Sequence, residues 1–499
     1  MPIFTPGRRW QPPYRAFKQL YLGGRLLTTV ERWTKGPLFG CRMCGNCLLQ
    51  ETAFICPMEC SKGLRNGPCG GSTKQCYVDP TRPCIWYEIY QRAERMGRTE
   101  KLLEVLPPLD WDKVGGETWV DVMNEVRHVG VRTFVGGMLS RDVARRARTW
   151  DSVFRPVRQP TWWEGDAEYH APRYTEPASE LERRLRTGEF VVTAEVAPPL
   201  STKTDKLQSN IDSLRDYVAA VNFTDNASAT PRVSSWACSL IAQRRSVEPT
   251  LQITARDHTR LSVQSDVLGA SALGIRNVLC LTGDSPHVGV SPMGRLDIVD
   301  LDSVQMLWVL RRMRDEGRYL DGREIKTPPR YFLGAAAAPG ASEPRFQAMR
   351  EHKKVNAGAQ FFQTNVVFDA DALDTWLNEL AKRNILDKVY ILVGVMPMRS
   401  LRMAQRLNEV PGINVPVKLI KRMEAAGDHA DEEGVAITLE LIEQIRHKQA
   451  VHGIHLMSVG WESIYPRIIT EAGLARPAQA PAAQVAPKAP ATPKTAAPA

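Results

Sequence analysis

No run of about 18 or more apolar residues occurs in this 499-residue chain, which argues against a membrane-spanning helix and against membrane insertion. The opening stretch MPIFTPGRRWQPPYRAF lacks the apolar segment a secretory signal needs. A cytoplasmic location is therefore expected, with thiols kept reduced rather than paired as disulfides. Histidine is scarce, and the first one in the chain is His128. Acidic residues are nearly missing from the start: residues 1–50 hold eight Arg or Lys against one acid, Glu31. No G-x-G-x-x-G follows a strand-like run, so no separate Rossmann nicotinamide domain is evident. With a net charge of +10, the basic start reads either as a solvated arm or as a surface that steers an acidic partner. Nucleic-acid binding through zinc knuckles is excluded, because no C-x2-C-x4-H-x4-C pattern accompanies the basic residues.

Four regions follow from composition. Residues 1–112 hold most of the cysteines and end near VLPPLDWD. Residues 113–180 contain the helical pattern TWVDVMNEVRHVG and then a Pro- and Trp-rich linker-like stretch. Residues 181–474 form a long regular domain, and residues 475–499 are an Ala/Pro-rich tail expected to be disordered or extended.

In the long domain, apolar or β-branched runs alternate with amphipathic segments. The runs are FVVTAEV, YVAAVNF, PTLQIT, NVLCLTG, YFLGAAA, FFQTNVVF, KVYILVGV and GIHLMSV. Helical patterns such as VSSWACSLIAQRR, SVQMLWVLRRMRDEG and ADALDTWLNELAKRN lie among them. Alternation of this kind implies a parallel sheet, and eight such strands fit a (β/α)8 TIM barrel better than an open doubly wound sheet. The fold class is thus α/β, a TIM barrel preceded by a small cysteine-rich metal-binding domain. In a barrel, chemistry belongs at the C-terminal ends of the strands. Polar residues gather there: Glu195, then Thr224 with Asp225 and Asn226, then Gln252, Thr254, Arg256 and Asp257, then Asp284, and finally Gln363 and Asn365. An acid at a strand end is often a helix N-cap, and Asp284 is open to that account. Glu195 lies inside an apolar strand, where burial would raise its pKa and suit it to general acid work.

Ten cysteines are present, and eight fall in one short region: Cys41, Cys44, Cys47, Cys56, Cys60, Cys69, Cys76 and Cys84. The first four read C-x2-C-x2-C-x8-C-P. With no histidine nearby, any metal site here is all-thiolate. Zinc sites favour two separated C-x2-C pairs, whereas three cysteines at x2 spacing can wrap one corner of an iron–sulfur cubane. Eight thiolates suffice for two [4Fe–4S] clusters, so one or two clusters are expected, with zinc as the alternative. Which cysteine serves which cluster stays open. Cys238 and Cys280 fall in apolar patterns and read as core.

The pieces AEVAPP, VNFTDNASATPR, LQITARD, GIRNVLCLTGD, KKVNAGAQFFQTNVVFD and GIHLMSVGWE, in this order over about residues 190–474, resemble the methylenetetrahydrofolate reductase family. The resemblance implies a barrel that holds a flavin, FAD or FMN, across the strand ends and reduces 5,10-methylenetetrahydrofolate to 5-methyltetrahydrofolate. It makes Glu195 the general acid toward folate N10 and sets Asp284 near the flavin and pterin. Thr224, Gln252 and Thr254 match flavin-contacting positions, and Lys354 a basic residue near the flavin phosphate. Gln363 and Asn365 fall at the folate-binding place. The sequence departs from the family at Thr282, where many members carry Arg, at Ala338, where some carry an aromatic, and at Gln252, where others carry His.

Residues 20–110, with LRNGPCGG, resemble the cysteine-rich partner module that accompanies some of these reductases in anaerobic one-carbon metabolism. A cluster passes single electrons and a flavin accepts one or two, so a relay from an acidic, ferredoxin-like donor is the expected logic. A zinc-stabilised interaction scaffold with a degenerate barrel is the competing reading. The sequence is compatible with a homo-oligomer.

Overall fold

A computed structural model describes residues 22–70, 74–116, 118–160, 162–285, 299–410 and 412–475. The expected arm residues before position 22 and the Ala/Pro-rich tail beyond 475 lie outside this set. Eight parallel strands close into a barrel in sequence order: β1 (Val191–Val196), β2 (Ala220–Phe223), β3 (Pro249–Thr254), β4 (Asn277–Leu281), β5 (Phe332–Ala337), β6 (Phe361–Val366), β7 (Tyr390–Val395) and β8 (Gly453–Leu456). Each coincides with one of the eight apolar runs. The runs are near-continuous because helices cover the outer face while side chains fill the inside.

At the bottom of the barrel Val191, Leu279, Phe332, Phe361 and Leu392 pack together. The rings of Phe332 and Phe361 stack at 4.6 Å. Gly334 makes this layer possible, since a Cβ there would stand 2.2 Å from the Phe361 ring. Above that layer the inward residues turn polar, which hands the top of the barrel to chemistry.

The cysteine-rich segment is mostly turns, held by one helix (Ile85–Arg95) and flanked by another (Leu22–Phe39). Its tight path requires Gly45 at φ +81°, where a Cβ would collide with the Lys113 carbonyl oxygen at 2.1 Å. This segment shares a core with the barrel: Trp86, Tyr87 and Tyr90 pack on Phe346 and Met349 of the helix after β5 (Pro344–Ala357). Asn66 pins it further, donating to Asp302 Oδ2 at 3.0 Å and accepting from the Leu106 amide at 2.7 Å. The region between segment and barrel carries three helices, Trp119–Val129, Val131–Met138 and Val143–Arg158. The Pro- and Trp-rich stretch after them is packed down, with Trp163 stacked on Trp308 at 3.8 Å. No helix among the described residues is long and apolar enough to cross a membrane.

Candidate active site at the barrel mouth

The C-terminal strand ends surround a cavity of about 390 Å³. Glu195, Thr224, Asp225, Gln252, Thr254, Arg256, Asp284, Lys354, Gln363 and Asn365 all line it, whereas Asn226 and Asp257, also singled out from sequence, do not.

Glu195 projects from the end of β1 with its side chain 24 % exposed, which makes it half-open to the cavity rather than sealed in the apolar strand. Gln252 Nε2 donates to Glu195 Oε2 at 3.0 Å. His455, from β8, is nearly fully buried, and its Nε2 lies 4.0 Å from the same oxygen. Its Nδ1 is 2.9 Å from Thr193 Oγ1. The Gln363 amide is tied beneath this group, donating to Asn222 Oδ1 at 3.1 Å and Thr193 Oγ1 at 3.3 Å and accepting from Asn222 Nδ2 at 2.6 Å. Gln363 therefore belongs to the cavity floor, while Asn365 stands nearer the rim beside Gly412. Sequence reasoning missed His455; a histidine at an inward position of an apolar strand was the available signal.

The opposite wall is acidic and strained. Three non-glycine residues after β2 hold positive φ: Asn226 at 47°, Ser228 at 55° and Ala229 at 52°. Such backbone persists where surrounding contacts enforce it, and it clusters at functional sites. The Ser228 amide donates to Asp284 Oδ2 at 3.3 Å, so the exposed Asp284 carboxylate braces this loop. Arg256 ties the turn from behind, donating to the carbonyls of Asp284 at 3.1 Å and Asn226 at 2.9 Å. Asp225 accepts from the Thr254 amide and hydroxyl at 2.8 and 2.9 Å and lies 3.0 Å from His258 Nε2. Burial works against a charged His258, but the bond to Asp225 and its charge hold the imidazole pKa above its ordinary value.

Buried cations crowd the third wall. Lys354 donates to the Ala336 carbonyl, and burial followed by repulsion from Arg350 lowers its pKa. Arg350 donates to Thr282 Oγ1 at 3.1 Å and Ser303 Oγ at 3.4 Å. Its Nε, like Thr224 Oγ1, is a buried polar atom with no hydrogen-bond partner among the described residues. Both residues line the cavity. A guanidinium with a spare donor, a lysine and two hydroxyls form a wall suited to an anionic group, and the orphaned Thr224 hydroxyl is suited to a polar ring edge.

Comparison with known proteins decides the family. A model described as methylenetetrahydrofolate reductase matches residues 180–473, which is the whole barrel. The chain belongs to the methylenetetrahydrofolate reductase family. Methylenetetrahydrofolate reductase 2 of Schizosaccharomyces pombe is 24 % identical over 321 residues, covering 59 % of this chain and 47 % of that protein. The 5,10-methylenetetrahydrofolate reductase of Salmonella typhimurium is 20 % identical over 283 residues, covering 54 % of this chain and 87 % of that one. The chain thus spans about half the length of the fission-yeast relative and most of the bacterial one. A solved structure titled as an uncharacterized Clostridium thermocellum protein that binds two copies of 5-methyl-5,6,7,8-tetrahydrofolic acid aligns with a TM-score of 0.42 at 16 % identity, over 60 % of this chain and 98 % of that chain. Methylenetetrahydrofolate reductases generally bind a flavin, and the orphaned Thr224 and Arg350 atoms fit such a group.

A second model, described as methylene-tetrahydrofolate reductase C terminal, matches residues 24–112. The eight-cysteine segment thus carries the reductase family's name, in a description that names no metal. Its thiols divide into two groups. Cys41, Cys44, Cys47 and Cys56 line one small void, with Glu31, Lys35 and Arg65. Cys60, Cys69, Cys76 and Cys84 line another, with Lys62 and Arg82. Burial, then repulsion from a neighbouring thiolate, pushes the Cys41 and Cys60 thiols up to about 12. No disulfide forms among these cysteines. Among the described residues, no three His, Cys, Asp or Glu side chains come close enough to hold a metal ion. The eight thiols therefore do not converge on ion-sized centres, and the metal-ligand set expected from the spacing is seen only as this division into fours.

Proposed function

We propose that the barrel reduces 5,10-methylenetetrahydrofolate to 5-methyltetrahydrofolate, with electrons reaching a flavin through clusters held by the cysteine segment. The observation that carries the first part is the Gln252–Glu195 hydrogen bond of 3.0 Å in the lining of a 390 Å³ cavity, in a barrel of this family. A flavin, FAD or FMN, held in this cavity would supply the hydride. Thr224, Gln252 and Thr254 would contact it, and Arg350 and Lys354 would hold its phosphate. Glu195, oriented by Gln252, gives a proton to folate N10, which opens the five-membered ring and leaves an electrophilic one-carbon unit. His455, beneath the same carboxylate, keeps a proton-carrying side chain within reach of it. Asn365 at the rim and Gln363 on the floor position the pterin, and Asp284 adds negative charge beside the reacting rings.

For the cysteines, the division into fours is the observation behind a reading of two [4Fe–4S] sites, with zinc as the alternative. A cubane holds its cysteines at four separate corners. Each set has cations beside it, Lys35 and Arg65 or Lys62 and Arg82, as suits a net negative cluster. The donor is an acidic, ferredoxin-like protein drawn by the basic first fifty residues. Turnover with it should fall steeply between 0.01 and 0.1 M salt, over which the Debye length shrinks from about 30 to about 10 Å, while turnover with a neutral dye holds.

The decisive assay is reduction of 5,10-methylenetetrahydrofolate by anaerobic, flavin-loaded protein with a reduced viologen as donor. Formation of 5-methyltetrahydrofolate supports the assignment. A flavin-loaded protein that binds the folate without turnover points instead to a scaffold with a degenerate barrel.

A further inference from the structure

The barrel cavity and the void of the second cysteine set share a wall, and the residues common to both are Lys62 and Cys69. Lys62 belongs to the cysteine segment yet reaches into the barrel. Its Nζ donates to the Gly283 carbonyl at 2.8 Å, next to Asp284. The same ammonium lies 4.7 Å from the centre of the Tyr77 ring, where the ring quadrupole favours a cation. Tyr77 in turn accepts a bond from the Ser285 amide at 3.0 Å, so segment and strand-end turn are stitched from both sides. Gly283 makes the turn that offers its carbonyl: at φ +79° a side chain would be strained, and a Cβ would press on Thr254 and Arg256 at 3.1 and 3.2 Å. Lys62 interacts electrostatically with Cys69, Tyr77 and Asp284 together.

We propose that Lys62 is a positioning residue which the cysteine segment contributes to the barrel's active site, placing a positive charge at the wall between the inner cysteine set and the flavin cavity and so raising the electron affinity of the flavin. This rests on the reading that the cavity binds a flavin. The geometry gives the charge two consequences. It offsets Asp284, whose carboxylate alone would repel a reduced, anionic flavin. It also makes the complete site a property of both segments, since neither the barrel nor the cysteine region alone holds the Lys62–Gly283 contact. Cys69, on the same wall, marks the second set as the inner one and the Cys41–Cys56 set as the outer one.

The test is the midpoint potential of the bound flavin in the full-length protein, measured by anaerobic dye titration in the parent, Lys62→Met and Lys62→Arg, with flavin affinity measured alongside. Lys62→Met should bind flavin but shift its reduction equilibrium at least tenfold toward the oxidised form, about 30 mV for a two-electron couple. Lys62→Arg, which keeps the charge, should stay within threefold of the parent. If Lys62→Met leaves the potential unchanged, or if Lys62→Arg shifts it as far as Lys62→Met does, the lysine is only a docking contact and the proposal fails. Should Lys62→Met not fold, Lys62→Gln gives the same reading with a donor retained. A parent that binds neither FMN nor FAD overturns the flavin reading itself, an outcome separate from any difference among the variants.

Discussion

Gln252 Nε2 and Glu195 Oε2 lie 3.0 Å apart, joining the ends of β3 and β1 across the cavity. An amide donor fixes which way the carboxylate faces without adding charge. Replacing Glu195 by Gln preserves size and removes the ionisable proton. Flavin binding and flavin reduction by an artificial donor should survive, while folate turnover drops by roughly 10²–10⁴-fold, the usual worth of a positioned proton donor. Near-normal turnover in Glu195→Gln, measured by steady-state kinetics, would remove Glu195 from the chemistry.

Asp284 sits on the strand-4 turn with its carboxylate exposed and bonded to the Ser228 amide. Its negative charge opposes an anionic reduced flavin, so Asp284→Asn should raise the flavin midpoint potential. The shift runs opposite to that of Lys62→Met, and the pair brackets the parent. An unchanged or lowered potential in flavin-loaded Asp284→Asn contradicts the placement.

The two cysteine sets should titrate as separate units. Cys47→Ser, in the outer set, and Cys76→Ser, in the inner set, should each lower the iron content of anaerobically purified protein by about half. Only Cys76→Ser should also change the response of flavin reduction to an electron donor when a small dye bypasses the outer set. Stoichiometric zinc without iron, in protein prepared without air, would replace the clusters with the zinc alternative.

Lys353 is fully buried where the cysteine segment meets the barrel, donating to Asn66 Oδ1 at 3.3 Å. Burial pushes its pKa from the ordinary 10.5 down to about 7, against the attraction of Asp302 and Glu104. Between those values the unfolded chain binds the proton and the folded one does not, so this group makes stability rise with pH from about 7 to 10.5. Below that window the folded protein carries the full penalty of a buried charge. The melting temperature of Lys353→Met minus that of the parent should therefore be greatest near neutral pH and fall as pH approaches 10. A difference that stays constant across this range would mean the lysine is solvated or paired.

Much of the barrel was legible because each strand is buried on both faces and so reads as an unbroken apolar run, from FVVTAEV to GIHLMSV. Glu195 stood out for the same reason, as a carboxylate in such a run. His455, in register with Thr193 on β1, did not, because an imidazole disturbs an apolar pattern less than a carboxylate does. Arg350 was hidden on a helix among the charged residues of REHKK, of which only Lys354 was singled out; the structure buries Arg350, Lys353 and Lys354 alike. Lys62 was out of reach for a different reason. Its partner Gly283 lies 221 positions away, and no local spacing encodes a contact between two segments that meet only on folding. The spacing x2-x2-x8 left the grouping of the cysteines open; the structure sets Cys41, Cys44, Cys47 and Cys56 around one void, and gathers Cys60, Cys69, Cys76 and Cys84 around another by turns rather than by any repeat.

The most direct test is turnover on stored electrons alone. Anaerobic protein, fully reduced and freed of reductant, is mixed with excess 5,10-methylenetetrahydrofolate, and 5-methyltetrahydrofolate is counted against bound flavin. A flavin alone holds two electrons, enough for a single product, and two clusters add about two more. About two products per flavin are expected, with the cluster absorbance recovering as the second forms. Reoxidation of the flavin with no methyl product, or no reoxidation in the presence of bound folate, would contradict the assignment of this barrel as a methylenetetrahydrofolate reductase fed through its cysteine segment.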